Sequence, residues 1–248
     1  MSDAGDIREL LEAWPHDPDH DARIIRGKDG RELLQVRTPL GLEQLELSGR
    51  PDGIRPRGLA TALEYYEREQ ARLEAGGGAG FELGAQECAE LFSEGTIFYF
   101  RYLRLFQLSR WQDTVRDTAR NLRLFDFVHR HAAREEDREY LEKWRPYVLR
   151  MNAAASALHW LEQGDASNAL KVIEAGCERI AALAEINDDT FRFERDRSLA
   201  ALRDLENEIG QKRPVPPVEL LQHQLRRAIE RQEFERAAEL RDRIRALQ

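Results

Sequence analysis

The sequence predicts a mainly helical protein, α+β in class, with three parts: a small N-terminal antiparallel β-meander, a body of helical hairpins and a C-terminal αα-hairpin. Ala, Leu, Glu and Arg are abundant, and these side chains lose little rotamer freedom in helices. Short β-rich runs separated by Gly, Pro and Asp are confined to the first sixty residues. Apolar residues recur at helical spacing over residues 84–210 and again over residues 218–247.

The N-terminal region is expected to hold a short helix and a three-stranded meander. The helix covers residues 6–14 and ends before Pro15. An Asp-Gly pair between the first two strands is typical of a β-hairpin turn. The strands are expected at residues 22–26, 31–37 and 42–47.

A further helix and a glycine-rich stretch follow the meander. The helix is predicted over residues 58–74 and is expected to cover one face of the meander, which needs such a cover to be stable. Residues 76–80 lack the Lys-Ser/Thr pair and the preceding buried strand of a phosphate-binding loop, so they are interpreted as a flexible linker. A second linker is proline-rich and covers residues 211–217. The expected domains are therefore residues 1–75, 84–210 and 218–248.

The helical body contains an internal echo. Residues 101–122 and residues 156–177 lie fifty-five positions apart, and each shows a helix, a short turn and a second helix. Ser109 in the first copy corresponds to Gly164 in the second. The second copy, Leu-x-x-Gly-Asp-x-x-x-Ala-Leu, resembles the turn of a tetratricopeptide repeat (TPR). That resemblance implies a TPR-like stack of hairpins with a protein-binding surface. An ordinary helical bundle is the alternative.

Six aromatic side chains lie around the first of these turns. Most of them are expected in the core. Tyr99 and Tyr102 have polar tips, and the alternative for these two is that one of them lines a groove. The six are Phe98, Tyr99, Phe100, Tyr102, Phe106 and Trp111.

The C-terminal segment has an apolar stripe on each side of a polar break at residues 231–233. Two short helices joined by one tight turn form an αα-hairpin, which is too small to be stable alone and needs a packing partner. The segment resembles the UVR motif, named for the excision-repair proteins UvrB and UvrC, in which the hairpin docks proteins. The resemblance implies that the matching positions bind the partner, namely Leu225, Ala228, Ile229, Phe234, Ala237, Ala238, Arg241 and Asp242.

The resemblance implies a non-enzymatic bacterial adaptor, linked to DNA repair or protein quality control. Its partner would be another protein with a matching helical hairpin, or a second copy of the chain. The GxxxxGK[ST] loop of UvrB-type helicases and Clp-type unfoldases is absent from the sequence. Cys88 and Cys177 lie far apart and do not form the CxxC pairs of protein-arginine-kinase activators. The motif is therefore attached to a different body.

The sequence predicts no catalytic residue, cofactor or metal. The GxSxG, HExxH and GxGxxG motifs are absent. The His-Asp-Pro-Asp-His-Asp run at residues 16–21 mixes imidazole and carboxylate groups, but a polar turn has the same composition. Cys88 lies beside Glu87 and Glu90, whose charges disfavour a thiolate. An adaptor is therefore a better prediction than an enzyme.

An enzyme or a small-anion-binding protein is the alternative function. Its site would lie between the meander and the helical body, where several arginines of the strands would hold an anionic ligand. The same arginines are also typical of a solvated strand face. They are Arg23, Arg26, Arg31 and Arg37.

Charge and composition narrow the partners and the compartment. The formal net charge of −8 argues against direct binding of nucleic acid, which needs concentrated Lys and Arg. The longest apolar run, residues 96–108, is interrupted by Arg101 and Arg104, so no membrane span is expected. Two cysteines and a charged N-terminus without an apolar leader favour the reducing cytoplasm.

Overall fold

The computed structural model describes residues 6–77 and 80–212, together with residue 241. The protein is mainly helical with a small antiparallel sheet near the N-terminus, which confirms the predicted fold class. The strands are β1 (Ala22–Arg26), β2 (Glu32–Thr38) and β3 (Gly41–Glu46). The helices are α1 (Arg8–Ala13), α2 (Ala62–Ala75), α3 (Ala85–Gln107), α4 (Trp111–His131), α5 (Glu135–Tyr140), α6 (Arg145–Glu162), α7 (Ala166–Ala181) and α8 (Asp189–Lys212).

The sheet is a meander in the order β1-β2-β3, with both pairs antiparallel. Its register places Ile24, Leu34 and Leu45 side by side across the three strands. Gly30 has a φ of +84° in the turn between β1 and β2, a conformation that glycine adopts without steric strain. The three predicted strands are therefore confirmed, with shifts of one residue at some ends.

The apolar face of the sheet is covered by the end of α3. Leu34 and Val36 of β2 form one buried cluster with Leu105, and Leu108 packs against it. The prediction that the helix after the meander provides this cover is wrong, because that helix, α2, contacts α3 instead. Periodicity shows that a helix has an apolar face, but it does not show which of several such faces a sheet will meet.

Four helices form the packed body. α3 and α4 are sequence neighbours that pack together, α4 also packs against α6, and α6 packs against α7. α6 begins at Arg145 with Pro146 in its first turn, because proline fits that position without losing a hydrogen bond. The charged tract at residues 134–138 forms part of α5, with Asp137 buried and paired to Arg134.

The turn between α3 and α4 closes with a Schellman motif. The Arg110 N–H donates to the carbonyl of Leu105 at 2.8 Å, and the Ser109 N–H donates to the carbonyl of Phe106 at 3.0 Å. Ser109 takes a φ of +56°, which this motif requires and which serine rarely adopts. Helix α4 therefore starts immediately after the end of α3 and folds back along it.

The turn between α6 and α7 repeats this geometry fifty-five residues later. The Asp165 N–H donates to Trp160 and the Gly164 N–H to Leu161, both at 2.9 Å, and Gly164 has a φ of +75°. The Asp165 carboxylate also accepts from the Asn168 N–H and caps α7. The two segments of the internal echo thus form two helical hairpins with matching turns.

Introducing glycine at Ser109 and removing it at Gly164 are expected to change the free energy of unfolding in opposite directions. Ser109→Gly removes strain at a positive φ and should raise the free energy of unfolding by about 0.5–1 kcal/mol. Gly164→Ala introduces the same strain, although its Cβ would meet nothing within 4 Å, and should lower it by about 1 kcal/mol. Urea unfolding of the two variants checks both signs. A destabilised Ser109→Gly would contradict the strain assigned to this turn.

The chain divides by its contacts into two units, Met1–Leu205 and Glu206–Gln248. The first holds the sheet and the helices up to the first two-thirds of α8. The three domains expected at residues 1–75, 84–210 and 218–248 stay a prediction. Within the described part of the chain, none of the helices is both long enough and apolar enough to pass through a membrane.

Candidate functional site

A fully buried carboxylate, Glu94 of α3, anchors the start of α2. It accepts hydrogen bonds from the Ala62 N–H at 2.6 Å and from the Leu63 N–H at 3.1 Å. N–H groups of the first helical turn lack partners within the helix and favour a negative charge. The guanidinium groups of Arg50 and Arg120 also donate to this carboxylate. One side chain therefore joins α2, α4 and the segment after the sheet to α3.

A second buried ion pair joins α3 to α4. Arg101 donates to both carboxylate oxygens of Asp117, at 2.6 and 2.8 Å, and each side chain is only 1% exposed. Arg101 also donates to the carbonyls of Glu46 and Gly49, at 2.7 and 2.9 Å. A buried ion pair is tolerated when such hydrogen bonds complete its coordination. The two pairs together fix α3 and α4, which form two walls of the candidate site.

The candidate site is a cavity of about 370 Å³ between α3, α4, α6 and α8. Its lining residues on α3 recur at spacings of three and four, so they occupy one face of that helix. The remaining walls come from the other helices and from the 3₁₀ turn before α6. Its aromatic lining consists of Phe92, Tyr99, Tyr102, Phe125, Trp144 and Tyr147.

Three tyrosines form the inner part of this lining. The ring of Tyr99 lies edge-on to those of Tyr102 and Tyr147, with centroids 5.6 and 6.0 Å apart. Burial raises the pKa of Tyr147 to about 12 and that of Tyr102 well above its ordinary value. Both hydroxyls therefore stay protonated at neutral pH, and the aromatic walls carry no charge.

The aromatic cluster divides between the core, the surface and the cavity. Phe98 is buried, as expected for most of the cluster, whereas Phe100 is 53% exposed and lies outside the core. Tyr102 is buried and also lines the cavity, together with Tyr99. Both tyrosines therefore line the cavity, a position that the alternative interpretation gave to one of them.

The polar part of the cavity comes from α8. Glu194 lines the cavity, is 6% exposed, and has one carboxylate oxygen, Oε2, without a hydrogen-bond partner. Its other oxygen is 3.5 Å from a guanidinium nitrogen of Arg197, which is the limit of a hydrogen bond. One turn further along, the hydroxyl of Ser198 is fully buried and also has no partner. Two neighbouring buried polar groups on one helix face thus lack a partner.

Sequence reasoning missed Glu194, although the sequence contains a signal for it. Phe191, Glu194, Ser198 and Leu202 lie at spacings of three and four residues and form the buried stripe of α8. Two of these four positions are polar, and a polar residue within an apolar stripe needs a partner or a function. Because charged residues are abundant along α8, this pattern is hidden in the sequence. It becomes visible when the buried positions are distinguished from the exposed ones.

The structure places the four predicted arginines of the sheet in separate surroundings. Arg23 lies 3.9 Å from the centre of the Trp14 ring, Arg37 donates to the Trp14 carbonyl at 2.8 Å, and Arg31 pairs with Glu46 at 2.8 Å. Partners within the N-terminal region therefore hold three of the four predicted residues, and the fourth, Arg26, is exposed. The structure does not bring the four together around a cleft.

Cys88 is fully buried, and burial raises the pKa of its thiol to about 11, with a smaller contribution from the charge of Asp137. The thiol is therefore a poor nucleophile, as predicted, but burial is a larger cause than the neighbouring carboxylates of the sequence.

In the polar run at residues 16–21, His20 and Asp17 pair at 3.0 Å on the surface, while Asp21 pairs with Arg104 of α3. Among the residues that the structure describes, no three His, Cys, Asp or Glu side chains gather as a metal site would need. The run is divided between a surface turn and a contact with the helical body.

Most of the predicted docking surface lies outside the described residues. This applies to Leu225, Ala228, Ile229, Phe234, Ala237, Ala238 and Asp242. Arg241 is described, and it is helical and exposed.

Comparison with known families bears directly on this C-terminal segment. The family model described as "UvrB/uvrC motif" matches residues 218–248. The C-terminal segment is a UVR motif. No family covers the rest of the chain. No curated protein matches the chain, and no solved structure matches it. The UVR motif mediates protein–protein interaction in DNA-repair contexts, so the motif suggests that this chain also binds a protein.

Proposed function

We propose that the protein is a non-enzymatic cytoplasmic adaptor, which docks a partner through its UVR motif and presents a TPR-like helical body. The observation that carries this proposal is the match of residues 218–248 to the motif. The partner carries a matching helical hairpin, and a second copy of the chain is the simplest such partner. We propose DNA repair or protein quality control as the process in which it acts, because other carriers of the motif work there.

The division of the chain supports this arrangement. Residues before Glu206 form their own compact unit, with a buried core and two buried ion pairs. The motif lies wholly in the second unit. A body that folds as its own unit would leave the motif available for a partner.

We expect the apolar positions of the motif to supply most of the docking contact, as they do in helical hairpins in general. We expect Phe234 to fill the space between the two predicted helices and Ala238 to let them approach closely. Arg241 and Asp242 are expected at the rim, where charges set register and contribute less to affinity. The double substitution Phe234→Ala with Ala238→Glu should therefore abolish association, because it removes the apolar anchor and places a charge at the contact.

The solution mass of the full chain, measured by light scattering, tests this prediction. We expect a self-associated species for the unmodified chain and a monomer for the double variant, with the same circular dichroism for the body. If the unmodified chain is monomeric, the unmodified chain and the double variant are instead tested for binding to other purified proteins that carry UVR motifs. Equal association of both proteins, or loss of the helical signal in the double variant, would refute docking by an independent motif.

Two further proteins complete the design. Truncation after Lys212 removes the motif and keeps every described residue of α8. It should behave like the double variant. Gln232→Ala, a substitution in the polar break between the predicted helices, is the matched control and should associate normally.

A further inference from the structure

The described residues that line the cavity all precede the UVR motif in the chain, and the chemistry of the cavity defines a second kind of ligand. We propose that it binds a planar, uncharged aromatic molecule that carries a hydrogen-bond donor, with Glu194 as the acceptor. The ligand class is that of an indole or a phenol.

The size and walls of the cavity favour a flat aromatic group. Small-molecule sites have volumes of roughly 300–1,000 Å³ and mostly apolar walls with few polar groups, and this cavity has about 370 Å³. Tyr99 and Tyr147 come from different helices, and Phe92 and Phe125 add further ring surface. Rings that surround a space offer both faces and edges for stacking with another ring.

Glu194 supplies the polar group that orients the ligand. A buried polar atom without a partner destabilises the fold, more so when it is charged, so its presence calls for an explanation. Its Oε2 has no donor in the protein, and Ser198, one turn away, has none either. A ligand N–H or O–H that reaches the Glu194 carboxylate replaces the missing donor. The buried Glu194 carboxylate then gains the contact that the protein alone does not give its Oε2 atom.

Charges of both signs surround Glu194, so a charged ligand of either sign meets a repulsion there. Arg197 lies at the cavity beside Glu194, and Arg150, 4.9 Å from the ring centre of Tyr147, also interacts with Glu194 through its charge. These two guanidinium groups repel a cation that approaches Glu194. The carboxylate itself repels an anion. A neutral donor meets neither penalty.

Calorimetric titration of the full chain with two probes of equal shape tests the proposal. Indole has a ring N–H, whereas benzofuran has an oxygen at that position and no donor. We expect indole to bind at least about tenfold more tightly, since a hydrogen bond to a charged acceptor contributes about that much. Absence of indole binding, or equal affinity for both probes, would overturn the proposal. This comparison needs no variant.

Two variants locate the donor contact. Glu194→Leu should lower the affinity for indole to that for benzofuran, and leave the affinity for benzofuran within about twofold. Glu174→Leu, the same substitution at an exposed position of α7, is the control and should keep the full preference for indole. A preference that survives in Glu194→Leu would refute the assigned acceptor.

A third probe distinguishes a free molecule from a side chain of a peptide. N-acetyl-tryptophanamide carries the same indole group on a peptide backbone. If it binds at least as well as indole, the natural ligand is a tryptophan side chain of a partner. If the cavity excludes it and accepts indole, the ligand is a small molecule. Either result keeps the chemistry proposed for the cavity.

Discussion

Replacing Glu94 with alanine is expected to lower the free energy of unfolding by about 3–5 kcal/mol. The carboxylate is fully buried and accepts from two N–H groups of α2 and from Arg50 and Arg120. Its removal leaves the guanidinium of Arg120, whose side chain is 9% exposed, without a counter-charge. Burial already lowers the pKa of Arg120, and its Nε has no hydrogen-bond partner. The variant therefore leaves an unpaired positive charge at a buried position.

Urea unfolding followed by circular dichroism measures this effect. The control is Glu69→Ala in α2, which breaks an ion pair with Arg72, a side chain that is 69% exposed. Such surface pairs contribute about 0.2–1 kcal/mol, so the control should unfold nearly as the unmodified protein does. Similar losses in the two variants would show that burial of Glu94 does not set its contribution.

Replacing Asp117 with alanine is expected to cost a similar amount, about 3–5 kcal/mol, because it leaves Arg101 buried and unpaired. Asp126→Ala, on the same helix, is the matched control. Asp126 pairs with Arg145 at 2.7 Å but is 56% exposed, and its loss should cost about 0.2–1 kcal/mol.

A double substitution separates the charge from the packing. Arg101→Met with Asp117→Leu removes both charges and keeps the volume apolar, so it should be more stable than Asp117→Ala alone. It should not regain full stability, because the carbonyls of Glu46 and Gly49 lose their donor. If the double variant is the less stable of the two, an unpaired Arg101 is not the cause of the loss.

Local features of the fold were predictable because local chemistry decides them. The strands follow from β-rich runs between turn residues, and the Asp-Gly pair places the first turn. Pro146 marks the start of α6 because proline fits only the first turn without loss. Gly164 and Asp165 mark the end of one helix and the cap of the next. Ser109 shows the limit of local prediction. Its positive φ could be inferred only from its correspondence to Gly164 in the second copy.

The candidate cavity was not predictable, because it depends on which helix faces meet. Tyr99 and Tyr102 were open to two interpretations, core or groove, and only the approach of α6 and α8 makes them cavity walls. Glu194 is nearly a hundred residues from Tyr99 and is surrounded by other charged residues in the sequence. Its one local signal is the spacing of three and four residues that it shares with Phe191, Ser198 and Leu202, and the surrounding charged residues of α8 hide that signal.

The sequence by itself determined the helical class, the N-terminal meander, the two hairpin turns and the UVR motif, because each depends on residues close together in the chain. Only the tertiary structure decided that α3 covers the sheet, that Glu94 and Asp117 hold buried arginines, and that an aromatic cavity closes around Glu194. These contacts join residues far apart in sequence. Their partners are chosen by shape and burial, which act only once the helices have packed.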